Sequence, residues 1–153
     1  MSVSQEEVQR RLDHFRNVCT RAGMKLTHQR TEIFREVAQT VDHPSAQIVF
    51  ELVRKRIPAV SLDTVYRNLS LLNDLGLITT LGPPRESARF DANVISHHHF
   101  VCTQCGTARD FHNRGFDELR PPIEVESMGS VETTHVELRG LCLRCKKKAK
   151  KEA

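Results

Sequence analysis

The sequence predicts an α+β protein in two parts. A helical half closed by a short β-hairpin comes first, and a small α/β module held by a metal follows. Three observations carry this. Apolar residues recur at helical spacing through four segments that end at Gly76. The turn residues Gly82-Pro83-Pro84 separate two short strand-like runs. Two Cys-x-x-Cys pairs, Cys102/Cys105 and Cys142/Cys145, are separated by 36 residues.

The elements follow in order. Over residues 4–21, Val8, Leu12, Phe15 and Val18 step by 4, 3 and 3, a one-faced helical stripe that Gly23 ends. Cys19 reads as a small core residue on that helix. Thr27 predicts the N-cap of a second helix carrying Ile33, Phe34 and Val37, broken by His43-Pro44. Ser45 caps a third, from Ala46 to about Arg56, with Ile48, Val49, Leu52 and Val53 inward and Pro58 closing it. Ser61 caps a fourth, in which Leu62, Val65, Leu69 and Leu72 step by 3, 4 and 3 before Gly76. The run LITTLGPPRESARFD then predicts a two-stranded hairpin.

Short helices followed by a hairpin predict a winged helix-turn-helix. The fourth helix would enter the major groove and the hairpin would be the wing. The polar face of that helix shows Thr64, Tyr66, Arg67, Asn68 and Ser70, types suited to phosphates, thymine methyls and base edges. An ordinary solvated face has the same composition, so the helix alone leaves both readings open.

In the second half, residues 97–102 and 107–111 predict strands flanking a Cys-x-x-Cys-Gly turn. Gly115 to Met128 predicts a short helix interrupted at its outset by Pro121-Pro122, and Val131 to Leu138 a strand leading into Cys142. A module of this size barely supports a core, so a metal staple is expected. The expected divisions are 1–83 for the winged helix, 84–96 for the wing end and hinge, 97–147 for the stapled module, and 148–153 for a disordered lysine-rich tail.

Composition limits the function classes. Hydrophobic residues make 39% and charged residues 27%, an ordinary balance for a soluble chain. No apolar run reaches membrane-spanning length, and MSVSQEEVQR has no apolar signal core, so a cytoplasmic protein is expected. The formal charge is +4. Residues 146–153 carry five lysines and one glutamate, so the rest of the chain is neutral. Bulk charge is therefore little argument for nucleic acid, and the arrangement of residues must make that case.

Reduced cytosolic thiols in paired spacing read as metal ligands before disulfides. Two Cys-x-x-Cys turns complete a closed tetrahedral site suited to structural zinc. Beside them stands SHHHFVC. In an extended strand His97, His99 and Val101 share one face, and His98, Phe100 and Cys102 the other. Two imidazoles on one face can hold an ion, leaving His98 a bystander or a second-site ligand. Asp91 at the end of the wing, Asp110 on the following strand and His43 at a helix break are further donors. Three imidazoles and two carboxylates make a nitrogen/oxygen set for iron(II), manganese(II) or zinc.

Taken together, LTHQRTEIFREV, the HPSA at His43–Ala46, SLDTVYRNLSLLNDLGLI, ARFD, SHHHFVCTQCG and GLCLRC resemble the Fur family of metal-responsive repressors, from about residue 8 to 147. The resemblance implies a non-enzymatic, DNA-binding homodimer on a palindromic operator. Each subunit would join a winged helix to a dimerisation domain. It implies structural zinc on Cys102, Cys105, Cys142 and Cys145. It also implies a regulatory iron or manganese on His43, Asp91, His97, His99 and Asp110, and DNA contacts from Arg30, Thr64, Tyr66, Arg67 and Asn68.

Asp110 resembles the peroxide-sensing, PerR-like branch, where iron-sensing members have the longer Glu. On that branch His43 or His97 is the expected site of oxidation. Some features depart from the pattern. Arg67 is the residue common in the iron-sensing branch, and His28 replaces the proline usual in Thr-Pro-Gln-Arg. Thr134 stands where many members have an ancillary ligand, with His135 one residue off, so that site is expected to be absent or altered. An iron- or zinc-responsive repressor is the nearest alternative. A hydrolase built on His97, His99 and Asp110 is another, but it lacks a general base and leaves DTVYRNL unexplained. A structural zinc module that binds protein partners is the third.

Overall fold

The computed structural model describes residues 3–82 and 88–152. Pro83 and Pro84, expected in the wing turn, lie outside the described residues. The chain divides into two compact units, one up to Val94 and one from Ile95 onward.

The first unit is built on four helices: α1 (Gln5–Arg21), α2 (His28–Ala38), α3 (Ala46–Val53) and α4 (Leu62–Asp74). Each begins at a hydroxyl cap. The side chains of Ser4, Thr27, Ser45 and Ser61 accept the N–H three residues on, which satisfies one orphan donor per helix. Gly23 and Gly76 take φ of 67° and 69° just past α1 and α4, a left-handed turn that favours glycine. The helices enclose Leu12, Phe15, Cys19, Ile33, Phe34, Val37, Val49, Val53, Val65, Leu69 and Leu72. Phe15 and Phe34 stack with ring centroids 4.7 Å apart. Arg11 pins α1 to the end of α2 by donating to the Ala38 carbonyl at 3.0 Å. Arg56 reaches back to the carboxylates of Glu32 and Glu36 on α2.

Two boundaries differ from the expectation. Helix α2 stops at Ala38, before His43-Pro44, because a turn in which Asp42 N–H donates to the Thr40 hydroxyl at 3.0 Å intervenes. Helix α3 stops at Val53 rather than near Arg56, because the Arg56 and Ile57 amides both turn onto the Val53 carbonyl. Its inward face is Ala46, Val49 and Val53, and Ile48 is exposed rather than inward. The expected hairpin is present as β1 (Thr79–Leu81) and β2 (Arg89–Asp91), antiparallel with Thr79 opposite Asp91. Phe90 N–H donates to the Pro44 carbonyl at 3.1 Å and ties β2 to the turn before α3.

The second unit holds β3 (His98–Cys102) between β4 (Ala108–Phe111), antiparallel, and β5 (Glu137–Gly140), parallel. The expected helix over 115–128 is instead two single turns, α5 (Arg114–Asp117) and α6 (Ile123–Glu126). Pro121 and Pro122 supply no N–H to join them. The expected strand over 131–138 is shorter and later. Pairing begins at Glu137 and continues to Gly140, whose missing side chain lets it lie against the Phe100 ring, 3.4 Å from where a Cβ would stand. In place of a disordered tail, α7 (Leu143–Glu152) runs from the last cysteine pair through the lysines. Lysine, alanine and glutamate all favour helix, and cations suit its C-terminal end.

Candidate metal centres and nucleic-acid surface

The cysteines of the second unit converge. Cys102 ends β3 and Cys105 follows a turn that Gly106 closes at φ 69°. Cys142 leads into α7, where Cys145 occupies the first turn. One sulfur from each lies within 4.8 Å of every other, and none is in a disulfide. The Cys105 and Cys142 sulfurs are 3.8 Å apart. Zinc–sulfur bonds of about 2.3 Å at tetrahedral angles separate ligand sulfurs by about 3.8 Å. The donor set therefore fits a structural zinc. Cys142 N–H donates to the Cys102 sulfur at 3.3 Å, which favours the Cys102 thiolate, and Cys145 N–H donates to the Cys142 sulfur at 3.5 Å. The Cys105 thiol is drawn down to about 5, first by the Thr107 hydroxyl. Burial, and then the neighbouring thiols, push Cys145 up to about 12. Without a cation the four sulfurs cannot all ionise; a divalent ion removes that conflict.

A second donor group lies on β3, on the residue just before it, His97, and on β4. The His97 Nε2 is 3.6 Å and the His99 Nε2 3.5 Å from the same Asp110 oxygen. Strand parity puts both rings on one side, 4.5 Å apart, and His99 pairs directly with Asp110 across the sheet. The His97 Nδ1–H donates to the Ile95 carbonyl at 2.5 Å. That fixes the tautomer and leaves the Nε2 lone pair facing a carboxylate, an arrangement that asks for a cation. Both imidazoles are buried and Asp110 is half-buried. These donors suit a nitrogen/oxygen metal site.

The first unit contributes a pair of its own. His43 is 1% and Asp91 3% exposed, with Nδ1 and Oδ1 3.7 Å apart. Asp91 also accepts the Asn93 N–H at 2.8 Å. His43 has φ 48°, a left-handed conformation that costs a non-glycine residue about 1–2 kcal/mol. Strain held at a buried ligand-type side chain points to use of that side chain.

The family model for the ferric uptake regulator family matches residues 21–139. This chain is a ferric uptake regulator (Fur) family protein. A peroxide-responsive repressor, PerR, of Staphylococcus aureus is 31% identical over 150 residues, covering 97% of this chain and all of the relative. The Helicobacter pylori ferric uptake regulator, described as having three functional metal binding sites, superposes with a TM-score of 0.73 at 20% identity, covering 91% and 93% of the two chains. A zinc uptake regulator complexed with zinc and DNA gives 0.64 at 22% identity over 94% and 97%. The Fur-family chain is thus a metal-dependent DNA-binding repressor, a regulator and not an enzyme. No described helix is long and apolar enough to cross a membrane.

The remaining expected residues of this Fur-family chain fall into place as follows. On α4, Arg67 is exposed, paired with Asp63 at 3.0 Å. Tyr66 is half-buried against the core. Thr64 is half-buried at the cap, its hydroxyl 2.8 Å from that of Ser61. Asn68 donates to the Thr64 carbonyl at 2.8 Å and accepts from Arg30 Nε at 3.1 Å, so Arg30 and Asn68 brace α4 against the start of α2. His98, open in the sequence, is fully buried among Phe111 and Phe116. Its Nδ1 accepts the Val136 N–H at 3.2 Å and its Nε2 is 3.1 Å from Asp117, a structural role on the opposite face from His97 and His99. The sequence reading missed the Asp63–Arg67 pair, although the i,i+4 charge spacing signals it.

Proposed function

We propose that this protein is a peroxide-sensing repressor in which one regulatory iron(II) or manganese(II) ion joins His43 and Asp91 of the first unit to His97, His99 and Asp110 of the second. The observation that carries the reading is that two buried imidazoles, His97 with its tautomer set by the Ile95 carbonyl and His99 beside it, address one oxygen of Asp110. The aspartate, not the longer glutamate, and the PerR relative support the peroxide branch. In a homodimer, an ion shared by the two units fixes the angle between the two α4 helices, so they match half-sites of a palindromic operator. Metal then binds the DNA-competent conformation preferentially, and DNA tightens metal by the same factor.

Iron(II), when bound, supplies the one-electron cleavage of peroxide that manganese(II) does not readily drive. In the net reaction one peroxide oxygen enters a C–H bond of an imidazole, His43 or His97. The other oxygen leaves as water, and the ring loses two electrons to the peroxide. The oxidised ring is a poorer ligand and repression ends. The reaction is stoichiometric. It is tested by anaerobic iron loading, brief low-dose peroxide, and peptide mass measurement beside operator binding. One added oxygen on a His43 or His97 peptide, with lost operator affinity, is expected. Equal resistance of the iron and manganese forms would defeat the peroxide reading and favour the iron-responsive one, which Arg67 also fits.

A further inference from the structure

We infer that helix α7 is a second, sequence-independent DNA contact, a phosphate-binding arm built on the zinc site; this rests on the repressor reading. The first observation is charge distribution. The chain carries +4 and residues 146–153 carry +4 by themselves, so the remaining residues sum to zero. Non-specific DNA binding is driven mostly by counterion release, which scales with the phosphates that local cations neutralise. The densest run of cations is Lys146, Lys147, Lys148, Lys150 and Lys151, five of the chain's 23 lysines and arginines.

The second observation is structural. These lysines lie on an ordered helix, and every described side chain of α7 apart from Cys145 is exposed. Among the described residues no carboxylate pairs with any of the five. At 100° per residue the five span an arc of about 200° of the helix, and the remaining arc carries Cys145 and Ala149. Cys145 and the Lys146 N–H bond to the Cys142 carbonyl at 2.8 Å anchor the first turn to the metal cluster. The result is a short cationic rod with a fixed base.

Its chemistry selects the partner. Lysine is a compact point charge suited to phosphate and carries no base code. Leu143 and Ala149 are the helix's only aliphatic side chains, so no apolar face exists to enter a lipid surface. Duplex phosphate is the occupant that fits.

The test uses the full-length, zinc- and manganese-loaded protein and a variant with all five lysines changed to Gln, which keeps helix propensity. Binding to a random-sequence duplex is measured as a function of salt. The slope of log K against log salt should fall by about 2 to 4, since each neutralised phosphate contributes roughly 0.9. The all-Arg variant should restore it. An unchanged slope in a variant that retains zinc overturns the inference and leaves the repressor reading standing. If wild type binds no duplex at low salt, both fall. Loss of binding to phosphatidylserine vesicles with duplex binding unchanged also overturns it, in favour of a membrane.

Discussion

Removing zinc should unfold the second unit and leave the first intact. Among the described residues, the fully buried apolar side chains of the second unit are Val101, Cys102, Ala108 and Cys145, and two of these are metal-cluster thiols. Helices α5 and α6 bury no side chain. Burying Val101 and Ala108 stabilises by about 3 kcal/mol together. Zinc in a site of this kind contributes about 10–16 kcal/mol. The metal term dominates by a factor of three or more, so the unit has no fold to keep without it. The first unit has its own core around Phe15, Phe34, Leu69 and Leu72.

The assay is hydrogen exchange by mass spectrometry on reduced protein before and after a strong chelator. The amides of Cys102 and Thr103, bonded to the Thr107 and Gly140 carbonyls, should lose protection, while those of α1 to α4 keep theirs. Cys102→Ser and Cys142→Ser should behave like the chelated protein and lose the dimer in sedimentation. Retained protection across 98–102 and 137–140 after complete zinc removal would refute the reasoning.

Arg67→Ala should weaken operator binding by about 1–3 kcal/mol and relax preference at one base pair if the guanidinium reads guanine; a uniform loss across sequences marks a phosphate contact instead. Asp63→Ala should alter preference at the same base pair, since its carboxylate holds Arg67 at 3.0 Å; unrelated base preferences in the two variants would separate them. Arg56→Ala should lower the melting temperature of the first unit by the equivalent of about 2 kcal/mol, because it leaves Glu36, only 2% exposed, without its cation; an unchanged melt shows that the Gln39 amide, which donates to Glu36 at 2.6 Å, suffices. Asp110→Glu should blunt histidine oxidation while largely preserving metal-dependent DNA binding, read by peptide mass and gel shift together; loss of both would make Asp110 a general ligand with no bearing on peroxide.

The first unit was the more legible half because its signals are local. A hydroxyl cap, a stripe of period near 3.6 and a terminal glycine each act within a few residues, and Ser61, Val65, Leu69 and Gly76 fall as their spacing implies. Where the reading slipped, as at Ile48, only the packing of α3 on its neighbours decides the inward face. The second unit was legible chiefly through its ligands. The four cysteines and the parity of His97 and His99 are fixed by spacing, but β5 is not. It ends where Gly140 meets Phe100, a contact from a distant part of the chain. The role of His98 was hidden for the same reason. Its partners, Val136 and Asp117, come from segments without regular pattern.

The parallel pairing of β3 with β5 also has a kinetic meaning. His99 lies opposite Glu137 and Cys102 opposite Gly140, with no regular helix longer than one turn between the strands. Closing so long a loop is entropically costly, and its contacts reward it only after closure. The four-helix unit nucleates on near neighbours and needs no such search. The two halves therefore mature on different clocks, the second set by how soon a zinc ion bridges Cys105 to Cys142. In a zinc-starved cell, newly made chains accumulate with the helical half native and the switch unassembled.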